Sequence, residues 1–434
     1  MFTQLFVFLD LVDDYFWSYL GVPALVLLGL YFSIVSGWFQ IVRLPQIVRS
    51  FIVAVSSGRT ASRGVSPIYT FFASIGGCVG LGNIVGVCTA VQIGGPGAVF
   101  WMWVAGLLGM LVKYAEIYLG VKFRVKNNNN SYDGGPMIYL QRAFSSRFIP
   151  YLVCIYGVEI YMFKIISHDI VTMWNVNRYL VVFLLLALIV FAGKGGLRRV
   201  GRISSTLIPI FLVLFLGVSI WIFVQNIHLI PGLFATIFRS AFTGHAAIGG
   251  FAGGGLMLAL SQGVRRACYT GDIGVGYASV IHSESSESNP QRQAALGVFG
   301  VFLDTFVVCT LSVMLILITG VWKDSINAGQ VLAVALGKYL PFVQMMWPLF
   351  IFLLGYSSLI SFFSVGRKAA LFLFPRYGSM IYFIYAIAAF LFFAFVGTAN
   401  HSLMIMSIAG MLLLFFNVIG IFKLRKEVKF SSKF

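Results

Sequence analysis

Charge is what this sequence has least of. Of its 434 residues, 10% are Asp, Glu, Lys or Arg, whereas an ordinary soluble domain carries about a quarter. Acidic residues are scarcer still, 13 against 30 basic ones. Cysteine is sparse too. Cys78, Cys88, Cys154, Cys268 and Cys309 lie in or beside apolar stretches and form no CxxC pair, which argues against a disulfide framework or a zinc site. The first sixteen residues contain Asp10, Asp13 and Asp14 but neither Lys nor Arg, so the basic start of a cleaved signal peptide is lacking and the first apolar span is expected to be mature structure. Histidines and acids show no metal-ligand spacing, and no nucleophile elbow precedes a His/Asp set. Neither a catalytic residue nor a bound cofactor is expected.

Apolar side chains are abundant. They make up 59% of the chain and raise the mean hydropathy to +0.94, more than a soluble core could hide. Eleven mostly apolar stretches have the length needed to cross about 30 Å of hydrocarbon as helices. They fall near residues 17–41, 67–95, 97–121, 148–173, 178–194, 204–227, 246–282, 293–322, 342–365, 378–398 and 401–422. The expected fold is therefore an all-α integral membrane protein with about eleven transmembrane helices, forming one membrane domain over residues 1–434.

A net charge of +17 would suit nucleic acid, but its placement points to a membrane instead. On this topology 24 of the 30 Lys and Arg residues fall in loops on one side. Only Arg178, Arg239, Lys323 and Lys338 lie opposite, with Lys113 and Lys164 inside spans. The asymmetry puts the N-terminus outside and the C-terminus in the cytoplasm, with no nucleic-acid partner. The basic tail, residues 423–434, would rest on anionic lipid, each cation contributing about 1 kcal/mol. Asn127 to Asn130 read as a flexible connector.

Glycine marks where helices break. Gly76, Gly77, Gly80 and Gly82 crowd one span just before Asn83. A second span carries Gly249, Gly250, Gly253, Gly254 and Gly255, then a break at Tyr269-Thr270-Gly271-Asp272-Ile273-Gly274-Val275-Gly276. Unwound backbone survives in a bilayer only where protein or a water-filled cavity satisfies it. With residues 17–66 set aside as a preceding helix and loop, the breaks open the first helix of each five-helix half, 67–227 and 246–422. That pattern suits an inverted repeat with a substrate site at the midplane. Freed N–H groups would hold a carboxylate and freed carbonyls a cation. The bland alternative is close helix packing on small residues. A potassium-filter reading of Val79-Gly80-Leu81-Gly82 fails because a filter needs four such loops and the chain has one.

At these residues the chain resembles the alanine or glycine:cation symporter family. The resemblance rests on Gly94-Gly95-Pro96-Gly97-Ala98-Val99-Phe100-Trp101-Met102-Trp103 with Lys113-Tyr114-Ala115-Glu116, on Gly134-Gly135-Pro136-Met137, and on Gly297 to Phe302 with Asp304-Thr305. It spans roughly residues 65–365. It implies a LeuT-type 5+5 fold in a bacterial inner membrane, acting as a monomer. It also implies import of a small neutral amino acid (alanine, D-alanine or glycine) with a cation, sodium rather than a proton. Gly80, Gly82, Asn83, Lys164, Tyr269, Thr270, Gly271, Asp272 and Phe362 would then form the substrate site, and Gly76, Val79, Ser357 and Ser358 the cation site. This chain departs from the family pattern in places. Thr270-Gly271-Asp272-Ile273-Gly274 stands for the usual Ser-Asn-Glu-Ala-Gly, Lys164 for a pocket Gln, Phe362 for a Trp and Arg367 for a Glu.

Charges inside spans must be paired or functional, since one at the bilayer centre costs about 2.5–3.5 kcal/mol on insertion scales. Lys113 and Glu116, three apart on a helix, are expected to pair with each other. Lys164 either pairs with Glu159 or Asp169 or supplies a movable proton. Asp304 is expected either to bond a hydroxyl or a neighbouring helix or to act in gating, and His282 to be a satisfied polar cap. A passive pore or ion channel, a membrane-embedded enzyme and a transport-inactive sensor are the competing readings.

Overall fold

The computed structural model describes the chain except residues 1, 57–62, 128–130, 147–154, 156, 158, 159, 161, 244–254, 325, 327, 397, 398 and 431–434. Cys154, Glu159, His245 and the run from Gly249 to Gly254 therefore lie outside the described residues. Among the described residues twenty α-helices follow one another. They are α1 Phe2–Phe16, α2 Val22–Val35, α3 Phe39–Val42, α4 Leu44–Ser56, α5 Pro67–Cys78, α6 Val87–Gly94, α7 Gly97–Lys122, α8 Pro136–Phe144, α9 Phe163–Trp174 and α10 Arg178–Lys194, then α11 Gly196–Gln225, α12 Ile230–Thr243, α13 Gly255–Gly271, α14 Tyr277–Ser283, α15 Pro290–Val301, α16 Thr310–Thr319, α17 Ala328–Gly337, α18 Val343–Leu373, α19 Gly378–Phe395 and α20 Ala399–Lys423. Three π-helical segments interrupt them, at Trp17–Gly21, Gly82–Gly86 and Phe302–Cys309.

Local sequence explains where these helices begin and end. Pro67, Pro136 and Pro290 occupy the first turns of α5, α8 and α15, where a missing N–H costs nothing. Asn177 and Asn289 cap α10 and α15, the former accepting from the Tyr179 N–H at 2.8 Å and the latter from the Gln291 N–H at 2.9 Å. Gly320, at φ +72°, closes α16 in the left-handed conformation that suits glycine.

Seven described helices are long and apolar enough to cross a membrane, or eight if the bent pair α5 and Gly82–Gly94 is one span. Eleven were expected. The difference has identifiable sources: α9 follows residues outside the description, α10 is 17 residues long, and α13 and α14 are separated by a break. The first apolar span runs Leu11–Val35, starting earlier than residue 17. The second break leaves Asp272, Gly274 and Gly276 at positive φ between α13 and α14.

Two groups of helices result. α7 lies against α13, α14 and α15, and α5 against α14 and α15; these carry both breaks. α9, α10, α18 and α19 contact one another and meet the first group through α18 and α11. Along its most apolar stretch α18 has 89% of residues buried, against 28% for α11, so α18 is central while α11 turns most of its apolar surface outward.

Both ends of the chain are built into this frame. α2 crosses α7 so closely that a β-carbon on Gly29 would stand 2.7 Å from the Leu108 carbonyl oxygen. Arg265 and Arg266 belong to α13, not to a basic loop. Arg265 pairs with Asp14 at 2.8 Å and with Asp13. The tail is not simply a lipid-facing tether. Phe430 stacks on Tyr114 at 4.9 Å, Tyr114 donates to the Lys429 carbonyl at 2.8 Å, and Lys122 binds Glu427 at 2.6 Å. Nor is the Asn127 region a loose connector at its margins. Val125–Lys126 and Tyr132–Asp133 form a short antiparallel hairpin.

Gly29→Val would force α2 away from α7. Overpacking of this kind costs about 1–3 kcal/mol, and the expected outcome is a lower melting temperature of the purified protein, read by differential scanning fluorimetry.

Candidate functional site

The first break opens after Cys78. Val79 leaves the helix at ψ 89°, and the chain re-enters through the π-helical segment Gly82–Gly86 with a bend of 44°. No side chain lies between the Gly80 backbone and α18: a β-carbon there would stand 2.5 Å from the Ser358 Oγ. Two adjacent serines of α18 turn to the same carbonyl. Ser357 and Ser358 donate to the Gly76 oxygen at 3.2 and 2.9 Å. Val79 is buried alongside. A residue not anticipated from the sequence joins them from α11. A β-carbon on Gly76 would stand 2.9 Å from the Ser204 Oγ, and that buried hydroxyl has no hydrogen-bond partner among the described residues. Only serine on an apolar face marked it in the sequence, which is too common to single out. One carbonyl and three hydroxyls thus converge, the hard oxygen donors that unwound transporter helices offer a cation.

Asn83 ties the first break to the π-helical segment Phe302–Cys309. Its side-chain oxygen accepts from the Gly80 N–H at 2.9 Å and its amide donates to Asp304 at 2.6 Å. Asp304 thus finds its partner on a neighbouring helix, and also accepts from Thr305 at 3.2 Å. π-helical segments cost backbone geometry and recur at functional positions; here two of them meet. Gly82 faces Thr270 across a narrow gap, since a β-carbon would lie 3.2 Å from the Thr270 methyl.

The second break is organised by charge. Asp272, at φ +47°, accepts from the Ala278 N–H at 3.0 Å, capping α14. The same carboxylate oxygen meets the Lys113 ammonium at 3.2 Å. Lys113 also donates to the carbonyls of Gly271 at 2.7 Å and Asp272 at 3.1 Å. The expected Lys113–Glu116 pair therefore does not form directly. Glu116 accepts from Asn417 at 3.1 Å instead, and Asn417 holds the Gly274 carbonyl at 2.8 Å.

The other residues named from the sequence divide. Phe362 packs on Tyr277 with the ring centroids 4.4 Å apart and the planes tilted by 39°, and the Tyr277 hydroxyl lies against Gly77. Tyr269 turns away to α20, bonding Ser407 Oγ at 2.6 Å and packing on Trp17 at 5.1 Å. Lys164 also lies apart: its ammonium donates to the Ala394 carbonyl of α19 at 3.1 Å, an oxygen shared with Arg178, while His168 and Asp169 face each other at 3.5 Å. His282 is a satisfied polar group. Its Nδ1 lies 2.5 Å from the Gln293 amide, which reaches Thr70 at 3.0 Å.

At the basic end the two half-helices are tied together. The Val65 N–H donates to the Glu284 carbonyl at 2.9 Å and the Ser286 N–H to the Val65 carbonyl at 2.7 Å. Arg124 donates to the carbonyls of Ser283, Ser285 and Glu287. Beside this bridge lies a cavity of about 650 Å³, lined by Lys194, Arg198, Glu284, Arg367 and Lys368 among others. Lys368 crosses it to Glu284 at 2.7 Å and Asp133 at 3.2 Å. Between the breaks there is a cavity of only about 10 Å³, bounded by Cys78, Lys113, Gly271 and His282, room for about one water. Among the described residues no group of three His, Cys, Asp or Glu could hold a metal ion.

Known proteins bear on what this arrangement serves. The model of the sodium:alanine symporter family matches residues 3–433. A transporter of Haemophilus influenzae is 32% identical over 451 aligned residues, covering 98% of this chain and 95% of its own. The sodium/alanine symporter AgcS of Methanococcus maripaludis is 26% identical, covering 96% of each chain. A Na+-coupled sialic acid symporter, solved in a substrate-bound outward-open state, superposes with a TM-score of 0.56 over 93% of this chain and 85% of its own, at 13% identity, a likeness of fold alone. The chain is therefore a multi-pass membrane protein that belongs to the sodium:alanine symporter family.

Proposed function

We propose that the protein imports a small neutral amino acid, alanine, D-alanine or glycine, together with sodium, by alternating access on a LeuT-type 5+5 scaffold. The observation that carries this reading is the convergence of the Gly76 carbonyl with Ser357, Ser358 and Ser204 beside the first break. Oxygen donors of that kind suit sodium, and none of them is a titrating group that a proton would use.

Placement of the amino acid follows from electrostatics. A helix N-terminus attracts a carboxylate, but the start of α14 is already capped by Asp272. At the start of Gly82–Gly86 the nearby acid, Asp304, takes the Asn83 side-chain amide rather than a backbone N–H, so we place the substrate carboxylate at that helix start, beside Gly80, Gly82 and Thr270. The narrow gap between Gly82 and Thr270 and the ring pair Tyr277–Phe362 favour a small side chain. The 650 Å³ cavity at the basic end fits the vestibule of a conformer facing that side. By the excess of Lys and Arg in the loops there, we assign that side to the cytoplasm of a bacterial inner membrane.

Uptake into proteoliposomes tests the reading. An inward sodium gradient is expected to drive saturable accumulation of alanine or glycine, and a pH gradient without sodium to drive none. Sodium-independent, non-saturating flux would mark a pore and sink the proposal. Ser358→Ala is expected to raise the sodium concentration for half-maximal uptake about tenfold, equivalent to about 1.4 kcal/mol, while substrate affinity at saturating sodium changes much less. Fusing reporters to the C-terminus checks orientation: a fluorescent protein should fluoresce and alkaline phosphatase should stay inactive, the reverse pattern contradicting the assignment.

A further inference from the structure

The two breaks solve one electrostatic problem in different ways. Unwinding a helix within the membrane leaves carbonyl oxygens without their usual N–H partners, and something positive must face them. At the first break the groups facing the Gly76 carbonyl are neutral hydroxyls. At the second, a cation is covalently part of the protein. The Lys113 ammonium lies 2.7 Å from the Gly271 carbonyl, 3.1 Å from the Asp272 carbonyl, 3.2 Å from the Asp272 carboxylate and 3.4 Å from the Cys78 sulfur. Three of these acceptors belong to the second break and the fourth to the end of the first.

We propose that Lys113 is a resident cation: its ammonium fills the cradle of carbonyl and carboxylate oxygens at the second break, a place that would otherwise take a free monovalent cation. The cradle is neutral with the ammonium in it, because Asp272 supplies one negative charge and caps α14 at the same time. Lys113 is thus a positioning residue. It holds the end of α13 against Cys78 through contacts that reach both breaks, and it leaves the transported ion only the serine cluster beside Gly76.

Two features distinguish this role from a simple salt bridge. The ammonium's shortest contact is a carbonyl rather than the carboxylate, and a void of about 10 Å³ lies directly beside it. Removing the side chain would enlarge that void without removing the oxygens. A small cation of the right size then has a site to enter.

Chemical rescue tests this directly. Lys113→Ala is purified and its melting temperature followed while methylammonium, ammonium, sodium or choline chloride is added. The variant is expected to melt lower than wild type and to regain several degrees with methylammonium along a saturating curve, while choline, too large for the site, acts only as an ionic-strength control. Wild type should show no saturable methylammonium response. A variant as stable as wild type, or one that methylammonium affects no more than choline does, overturns the proposal.

If Lys113→Ala yields no folded protein, K113A/D272N removes both charges and keeps the two carbonyls. It is expected to fold and to retain a weaker saturable response, and failure of either also overturns the proposal. The inference rests on the transport reading only in assigning the travelling ion to the serine cluster. The two fail separately: wild type that gains no stability from sodium with alanine counts against symport, whereas absent rescue counts against the cradle alone.

Discussion

Everything in this molecule depends on how backbone polar groups are satisfied where two helices come apart in an apolar medium. Each unmet N–H or C=O there costs several kcal/mol, so the gaps after Cys78 and Gly271 can exist only with dedicated partners. The partners are varied: two serine hydroxyls from α18, the amide of Asn83, the carboxylate of Asp272, the ammonium of Lys113 and the amide of Asn417. Those from outside the broken spans come from three helices, α7, α18 and α20, and two π-helical segments meet at Asn83 and Asp304. The scaffold is arranged around these polar contacts, and apolar packing fills in what remains.

Much of this was legible in the amino-acid order. Breaks were expected where glycines cluster inside apolar runs, and they occur there because glycine alone lets the backbone of Gly80 and Gly77 approach Ser358 and Tyr277 so closely. Composition sufficed for an all-helical membrane fold. Positive φ at Gly274 and Gly276 also agrees with the second cluster. Span number was less legible: apolar runs suggested eleven, whereas seven or eight described helices are long and apolar enough to cross, because an apolar run does not show where the helix within it is interrupted or how short it is.

Partners across the fold were not legible at all. Spacing on one helix suggested Lys113 with Glu116, yet their orientations send one to Asp272 and the other to Asn417, about 160 and 300 residues further along. Tyr269 and Asp272 sit within a few residues of the second break and still divide: one faces α20, the other α14 and α7. Lys164, matched to a pocket position by sequence, projects toward α19 instead. Helical rotation decides such cases, and an error of one residue in register turns a side chain by about 100°. Ser204 escaped notice for the opposite reason, since a single hydroxyl on a helix carries no pattern.

The backbone bridge between Val65 and Ser285 has a mechanical meaning. Because Glu284 and Ser286 clasp Val65 on both sides, and Arg124, just past the end of α7, holds the same stretch, α5 and α14 are geared to each other at this end. One cannot swing aside while its counterpart stays. A pair geared in this way has fewer half-open postures than two segments free to part independently.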